Sequence, residues 1–305
     1  MPACSKSDRR PHGPVASVLP WLAVALLPLV SGCGSDRVAN PVADAGLAVE
    51  LRSALASTVA VTSEAAAAES GTGWGSLKGR FVFAGTAGDP RALVVDKDTE
   101  VCSKDGVKLL DRSLLVDASS KGVANVVVFA RKTGRVRNPV PETTLVFDQK
   151  NCEFLAPVFA ARVGQSIDVR NSDPIGHNTN IAGTSFNQLI PAGAGTVYKA
   201  DAETGMPTMV TCNIHPWMKA FVVFRKDGYV AVSATDGTFT LPDLPAGETV
   251  ELQVWHERST GPSGALGLDR PDLKWTPKGR FQVRLEPDEV KDLGTLEIPA
   301  SALGI

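Results

Sequence analysis

The sequence lacks an excess of charge of either sign. Its 305 residues include 31 lysines and arginines against 33 aspartates and glutamates, a net charge of -2. Proteins that bind nucleic acid neutralise phosphates with a basic surface, so we expect no nucleic-acid partner. The composition, 43% hydrophobic and 21% charged, is typical of a soluble globular protein and excludes both a membrane bundle and a disordered chain.

Motifs of the common enzyme classes are also missing. The chain contains no Gly-x-Ser-x-Gly nucleophile motif, no glycine-rich phosphate loop and no paired-carboxylate cleft with supporting context. We therefore expect a protein that is not an enzyme. A long helical period is absent beyond residue 76, which excludes a helical bundle.

Residues 1–32 have the pattern of a bacterial secretion signal. A basic start is followed by an apolar run over 15–30, which is too short to span a membrane comfortably. Two small residues precede Cys33, and this arrangement resembles the lipobox, in which the cysteine is acylated. We expect the protein to be exported and lipid-anchored to the membrane through Cys33, facing the periplasm, and Gly34 favours the outer membrane. An ordinary signal peptide, leaving the protein free in the periplasm, is the alternative.

The cysteines divide by position. Cys4 would be removed with the signal and Cys33 acylated, which leaves Cys102, Cys152 and Cys212 in an oxidising compartment. Three is an odd number, so one thiol stays unpaired. Cys212 has the neighbours of a metal ligand, as described below, and we therefore predict a disulfide between Cys102 and Cys152. A disulfide that uses Cys212 is the alternative.

The rest of the chain divides into a tether and two β-rich regions. Residues 33–76 are rich in alanine, serine and glycine and are predicted to be a flexible tether. From residue 77 onward, short runs of β-branched and aromatic residues alternate with turn residues, which predicts an all-β fold. The spacing indicates two β-sandwiches, a larger one over 77–225 with its core in 122–225, and a smaller one over 226–305.

The second sandwich carries the sequence DGTFTL at 236–241 and LPAG at 244–247, both of which supply residues for tight turns. This stretch resembles the carboxypeptidase regulatory-like, or prealbumin-like, β-sandwich. Residues 79–85 and 122–129 resemble the opening strands of the same kind of domain. An insertion of the first sandwich into the second is therefore an alternative to the linear order, which is the order we predict.

A small set of residues has the pattern of a metal site. Cys212, His215 and Met218 follow the spacing Cys-x-x-His-x-x-Met, and His177 stands in a turn after a predicted strand. A blue-copper site takes two imidazoles and a thiolate in a near-trigonal plane, with a long axial thioether. Only three histidines follow the signal, and two of them belong to this pattern. Copper is favoured over zinc, because zinc gains little from a thioether.

These residues resemble the cupredoxins of the amicyanin and plastocyanin type, over roughly 122–225 and including the pattern VGQ-x-I-x-V-x-N at 163–171. The resemblance implies a Greek-key β-sandwich. It also implies one type 1 copper ion held by the four ligands His177, Cys212, His215 and Met218.

The resemblance further implies roles for the ligands' neighbours. Asn178 would tie the two ligand loops together by hydrogen bonds. Pro216 and Trp217 would form an apolar docking patch beside an exposed edge of His215, through which electrons pass. The long region 85–121 has no counterpart in a minimal cupredoxin, and it leaves the partner open.

The sequence thus predicts a type 1 (blue) copper protein that passes single electrons between redox donor and acceptor proteins in the periplasm or at the cell envelope. A copper storage or delivery protein is one alternative, and a surface binding module with a structural metal is another. Redox reversibility separates the carrier from the delivery protein, because a carrier holds copper in both oxidation states.

Replacing Cys33 with serine tests the predicted anchor. Because serine cannot take the thioether-linked lipid, we expect Cys33→Ser to move the protein from the membrane fraction to the soluble periplasm without altering copper binding. Cell fractionation with immunoblotting measures the change, and Cys4→Ser, which alters only the removed signal, is the matched control. A Cys33→Ser protein that stays in the membrane fraction would show that the anchor is wrong.

Overall fold

The computed structural model describes residues 72–305, so the predicted signal, Cys33 and the tether up to residue 71 lie outside the described residues. Within 72–305 the chain consists of short strands and single-turn helices, which confirms the all-β fold class. No helix in this part of the chain is long and apolar enough to cross a membrane.

The described part of the chain contains sixteen strands and one turn of α-helix. They are β1 (Trp74–Ala84), α1 (Thr99–Cys102), β2 (Val127–Lys132), β3 (Leu145–Lys150), β4 (Glu153–Phe154), β5 (Val158–Arg162), β6 (Ile167–Asn171), β7 (His177–Ile181), β8 (Asn187–Ile190), β9 (Gly195–Tyr198), β10 (Thr208–Thr211), β11 (Lys219–Arg225), β12 (Val230–Val232), β13 (Thr238–Pro245), β14 (Thr249–Trp255), β15 (Arg280–Arg284) and β16 (Val290–Pro299). Short 3₁₀ turns lie at Lys104–Gly106, Pro262–Gly264, Pro271–Leu273 and Ala300–Leu303.

These strands form four sheets around two main cores. The first sandwich has a five-stranded sheet in the order β5-β11-β10-β7-β8 and a four-stranded sheet in the order β4-β3-β6-β9. The second has the sheets β13-β1-β16 and β12-β2-β14-β15. The core of the first sandwich is formed by side chains that alternate along a strand between the buried and the outer face. In β6, Ile167 and Val169 are buried while Arg170 is exposed, as expected for strands with one buried face.

The linear order of domains predicted from the sequence is wrong. β1 pairs with β13 and β16, and β2 pairs with β12 and β14, so both early strands belong to the second sandwich. The first sandwich, 145–225, is inserted between β2 and β12, and the predicted core 122–225 begins too early. β1 belongs to the second sandwich because its side chains pack there: Phe81 of β1 stacks on Phe239 of β13, with 5.1 Å between the ring centroids. The predicted boundary at residue 77 also falls inside β1, which starts at Trp74.

The tight turn between β12 and β13 lies against β1. Gly237 has φ 85°, a conformation that residues with a side chain rarely adopt. Its carbonyl accepts a hydrogen bond from the Phe81 amide at 2.9 Å, and an added Cβ would lie 2.0 Å from the Phe81 oxygen. The Asp-Gly sequence therefore serves both the turn and the close approach of two backbones.

The two sandwiches share a third apolar cluster. Successive residues of β2 are buried on both faces, and Val127 and Phe129 pack with Val158 and Val223 of the first sandwich and with Trp255 of the second. Continuous burial explains why the first four residues of β2, 127–130, form an unbroken apolar run rather than an alternating one.

His256 makes the free energy of unfolding depend on pH. Its side chain is buried, its Nδ1 accepts a hydrogen bond from the Arg258 amide at 3.2 Å, and burial lowers its pKa to about 4. Because an unfolded histidine has a pKa near 6.5, the unfolded chain takes up a proton between pH 6.5 and about 4 that the folded chain does not. The contribution of His256 to stability is therefore complete above pH 6.5 and is lost as the pH falls through this window.

We expect His256→Asn to remove this part of the pH dependence, which amounts to about 3 kcal/mol at most. Urea unfolding of both proteins across the window measures it. The difference between the two curves isolates His256, because the carboxylates titrate in both proteins. If the free energy of unfolding changed with pH by the same amount in both proteins, His256 would not be the source of this pH dependence.

Candidate metal centre

Three adjacent strands bring the predicted ligands to one end of the five-stranded sheet. β10 lies between β7 and β11 and runs antiparallel to both, so the start of β7, the end of β10 and the start of β11 meet. His177 is the first residue of β7, Cys212 directly follows β10, and Met218 directly precedes β11. The sheet thus joins ligands from two distant segments.

A buried amide fixes the turn that leads to His177. Asn171 ends β6, is fully buried, and donates from Nδ2 to the carbonyl oxygens of Ile175 at 2.7 Å, Ile190 at 2.9 Å and Pro191 at 3.1 Å. Buried backbone carbonyls need such partners. The asparagine that closes the VGQ pattern is therefore a structural support of the ligand loop.

The two imidazoles and the thiol converge on one point. Nδ1 of His177 lies 2.9 Å from Nδ1 of His215, which lies 3.8 Å from Sγ of Cys212. All three potential ligand atoms are within 4.8 Å of one another. The side chains are 0%, 0% and 2% exposed, respectively. Two imidazole nitrogens and a soft sulfur are the donor set of a blue-copper ion, so the residues present fit that group.

Met218 lies on the same short turn as Cys212 and His215. The Met218 amide donates to the His215 carbonyl at 2.9 Å, and the Cys212 amide donates to the Met218 carbonyl at 3.3 Å. Met218 is 2% exposed and belongs to the same buried cluster as Cys212. The Met218 side chain is therefore buried in the same apolar cluster as the Cys212 thiol.

Asn178 connects the two ligand loops. Its backbone amide donates to Sγ of Cys212 at 3.3 Å, and its Oδ1 accepts from the Asn213 amide at 3.1 Å. Its Nδ2 donates to Oδ1 of Asn187 at 2.7 Å. These bonds connect β7 with the loop after β10 and hold the thiol at a fixed distance from β7.

Each imidazole is held from behind by a carboxylate. Nε2 of His177 lies 2.7 Å from Oδ2 of Asp173, and Nε2 of His215 lies 2.8 Å from Oδ2 of Asp98. Asp173 also accepts from the backbone amides of Asn151 and Cys152 at 2.7 and 2.8 Å. A carboxylate on one ring nitrogen fixes the ring's orientation and leaves the other nitrogen for a metal.

The charges inside the cluster follow from these contacts. Burial alone would lower the pKa of His177, but its hydrogen bonds to Asp173 and Cys212 raise that pKa to about 9. Burial would raise the pKa of Cys212, yet the His177 contact and the backbone amides lower it to about 6. The pKa of Asp173 is lowered as well, because burial is outweighed by its bonds to His177 and two amides. The contact with His177 and the backbone amides thus favour the thiolate form of Cys212, which is the form that binds metals.

The predicted exposed edge of His215 is wrong, because a loop covers it. We name residues 91–112 the strap. Lys97 donates from Nζ to the Ile214 carbonyl at 3.2 Å, and Asp98 meets Nε2 of His215, whose side chain is fully buried. The strap belongs to the region that has no counterpart in a minimal cupredoxin, so the resemblance carried no information about it.

The strap is fixed near its middle by the Cys102–Cys152 disulfide, which closes a separation of 50 residues. Cys212 is the free cysteine of the described residues. Cys152 lies within 4.8 Å of potential ligand atoms of Asp173 and His177. Its sulfur is engaged in the disulfide, so that second group is not a metal site.

The predicted docking residues differ in exposure. Pro216 is exposed, whereas Trp217 is half-buried, with its ring 5.1 Å from the His215 ring and its Nε1 donating to the Cys152 carbonyl at 3.1 Å. Both line a cavity of about 250 Å³ that Arg91 of the strap also borders. The surface beside His215 is thus less apolar than the resemblance implies.

The two carboxylates were missed by reasoning from the sequence. Asp173 stands four residues before His177 in a polar turn, and that proximity was a usable signal. Asp98 is 117 residues from His215, in a segment with no recognisable motif, so nothing local could have identified it.

No protein-family model matches the chain, and no curated protein matches it in sequence. Among solved structures, similar chains include the amicyanin of Paracoccus versutus, with 17% identity, coverage of 32% of this chain and 97% of that chain, and a TM-score of 0.24. A reduced Cu(I) form of an amicyanin mutant has 22% identity, with coverage of 28% of this chain and 86% of that chain, and a TM-score of 0.24. The copper-containing nitrite reductase of Thermus scotoductus has 16% identity, with coverage of 32% of this chain and 25% of that chain, and a TM-score of 0.25. One neighbour is thus named as an enzyme and the others are not.

Removing the disulfide tests its role in holding the strap. The double variant Cys102→Ser/Cys152→Ser should lower the free energy of unfolding by about 4 kcal/mol, the loop-entropy value for a separation of this length. Urea unfolding measures the loss. Peptide mapping of the unmodified protein under non-reducing conditions is the companion experiment, and a peptide that links Cys212 to either partner would overturn the pairing.

Proposed function

We propose that the protein binds one copper ion through His177, Cys212, His215 and Met218 and carries single electrons. Copper bound there supplies one-electron chemistry by alternating between Cu(I) and Cu(II). The observation that carries the proposal is the convergence of two imidazole Nδ1 atoms and the Cys212 thiol within 4.8 Å, in a buried setting.

The supports around the ligands favour a carrier. Asp173 and Asp98 fix the two rings, and Asn178 fixes the thiol. A site whose ligands are already held before the metal arrives changes little when the oxidation state changes, and this keeps the reorganisation energy of electron transfer small. A rigid set of buried ligands also disfavours rapid delivery of the ion to another protein.

The nature of the donors favours copper over zinc. Zinc is well served by nitrogen, thiolate and carboxylate donors, but a buried methionine beside a thiolate suits a softer ion. The ligand side chains are at most 2% exposed, so a substrate has no direct approach to the donor atoms. For this reason we propose an electron carrier rather than an oxidase or reductase.

The proposed setting is the bacterial envelope. The secretion signal and Cys33 support an exported protein anchored by lipid, with the copper domain facing the periplasm. Redox proteins that donate and accept one electron are the proposed partners. Storage or delivery of copper stays the competing function, and reversible voltammetry of the bound metal separates the two.

Met218→Gln tests both the axial ligand and the redox function. Because an amide oxygen is a harder donor than a thioether and favours Cu(I) less, we expect a coloured protein with a lower reduction potential. Cyclic voltammetry of the copper-loaded protein measures the shift. Cys212→Ser should abolish the colour, because it removes the thiolate that gives the charge-transfer absorption.

Met209→Gln is the matched control, because Met209 is an exposed residue of β10 and its replacement should leave the potential unchanged. A Met218→Gln protein with the potential of the unmodified protein would exclude Met218 as the axial ligand. Absence of any reversible redox wave in the copper-loaded protein would contradict the carrier function itself.

A further inference from the structure

Asp98 adopts a left-handed backbone conformation just before α1. Its φ is 46° and its ψ 40°, in the left-handed region, where residues other than glycine are uncommon. It precedes α1 without forming a side-chain cap to that helix. Aspartate is among the residues that adopt this region most readily, so the conformation alone assigns no role to the side chain.

The surrounding contacts hold Asp98 from both sides. The amides of Val101 and Cys102 donate to the Asp98 carbonyl at 2.9 and 2.8 Å, so the single turn of α1 is built on it. On the other side, Lys97 reaches the carbonyl of Ile214, the residue before His215. The strap is thus attached directly to the ligand loop at the point where Asp98 meets the histidine.

The disulfide joins the supports of both imidazoles. Cys102, whose amide binds the Asp98 carbonyl, is bonded to Cys152, whose amide binds Oδ2 of Asp173. One covalent link therefore connects the segment that carries Asp98 with the backbone that orients Asp173. A chance contact between a surface carboxylate and a histidine would have no such anchoring.

We propose that Asp98 is a positioning residue for His215: it holds the ring with Nδ1 toward the metal and, as a charged acceptor at Nε2, makes the imidazole a stronger donor. This inference rests on the proposed copper function. The charge on Asp98 raises the electron density of the ring and favours the higher oxidation state. The reduction potential of the site is therefore lower with Asp98 than without it.

The test compares Asp98→Asn, Asp98→Ala and Asp96→Asn. Asparagine keeps an oxygen acceptor without the charge, and alanine removes the acceptor. Asp96 is exposed on the same strap, so Asp96→Asn is a matched control for the change in net charge. We expect the reduction potential to rise in both Asp98 variants, and copper affinity to fall about 10- to 100-fold in Asp98→Ala. Asp96→Asn should behave as the unmodified protein.

A second measurement needs no copper. In the metal-free protein, nitrogen-15 NMR should show His215 with its proton on Nε2, protected from exchange with solvent by Asp98. Asp98→Ala should lose that protection, and Asp96→Asn should keep it. Far-ultraviolet circular dichroism of each variant shows that the fold is intact.

The outcomes separate the two proposals. If the unmodified protein shows no reversible copper couple, the proposed function fails, while the NMR comparison still decides the role of Asp98. If the couple is present but both Asp98 variants keep the reduction potential, the copper affinity and the Nε2 protection of the unmodified protein, as Asp96→Asn does, the positioning role of Asp98 is overturned. A loss of Nε2 protection together with a raised potential supports it.

Discussion

Burial of two imidazoles and a thiol at one end of a sheet is the constraint on which the rest of this structure depends. Polar groups removed from water must find partners, or the fold loses stability. His177 and His215 find them in Asp173 and Asp98, and Cys212 finds one in the backbone amide of Asn178. The same contacts that satisfy the buried groups also aim their donor atoms at each other.

The fold supports this cluster at two levels. The sheet order β11-β10-β7 places the ligand-bearing ends together, and the strap, tied down by a disulfide, closes the side that the sheet leaves open. Beyond the cluster, Arg225 fixes the first sandwich to the second, because it is buried and donates to the Ala130 carbonyl at 2.7 Å. The inserted sandwich is therefore held by a contact away from the cluster as well as by the contacts around it.

Features that depend on residues close together in the sequence could be predicted from it. The spacing of Cys212, His215 and Met218 fixes three residues on one turn, and the alternation of apolar residues fixes which strands have a buried face. Strand pairing is non-local, so the sequence could not decide whether β1 joined the first sandwich or the second. Asp98 was beyond reach for the same reason, because its partner lies 117 residues away. The exposed edge expected for His215 was wrong because the strap had no precedent in the resemblance.

The most direct test of the account is X-ray absorption spectroscopy of the copper-loaded protein in both oxidation states. Copper held by one thiolate and two imidazoles predicts one short copper–sulfur and two copper–nitrogen distances in the oxidised protein, with the same ligands and only small changes after reduction. Loss of an imidazole on reduction, or a first shell without a short copper–sulfur distance, would contradict the claim that this buried cluster is a preformed site for electron transfer.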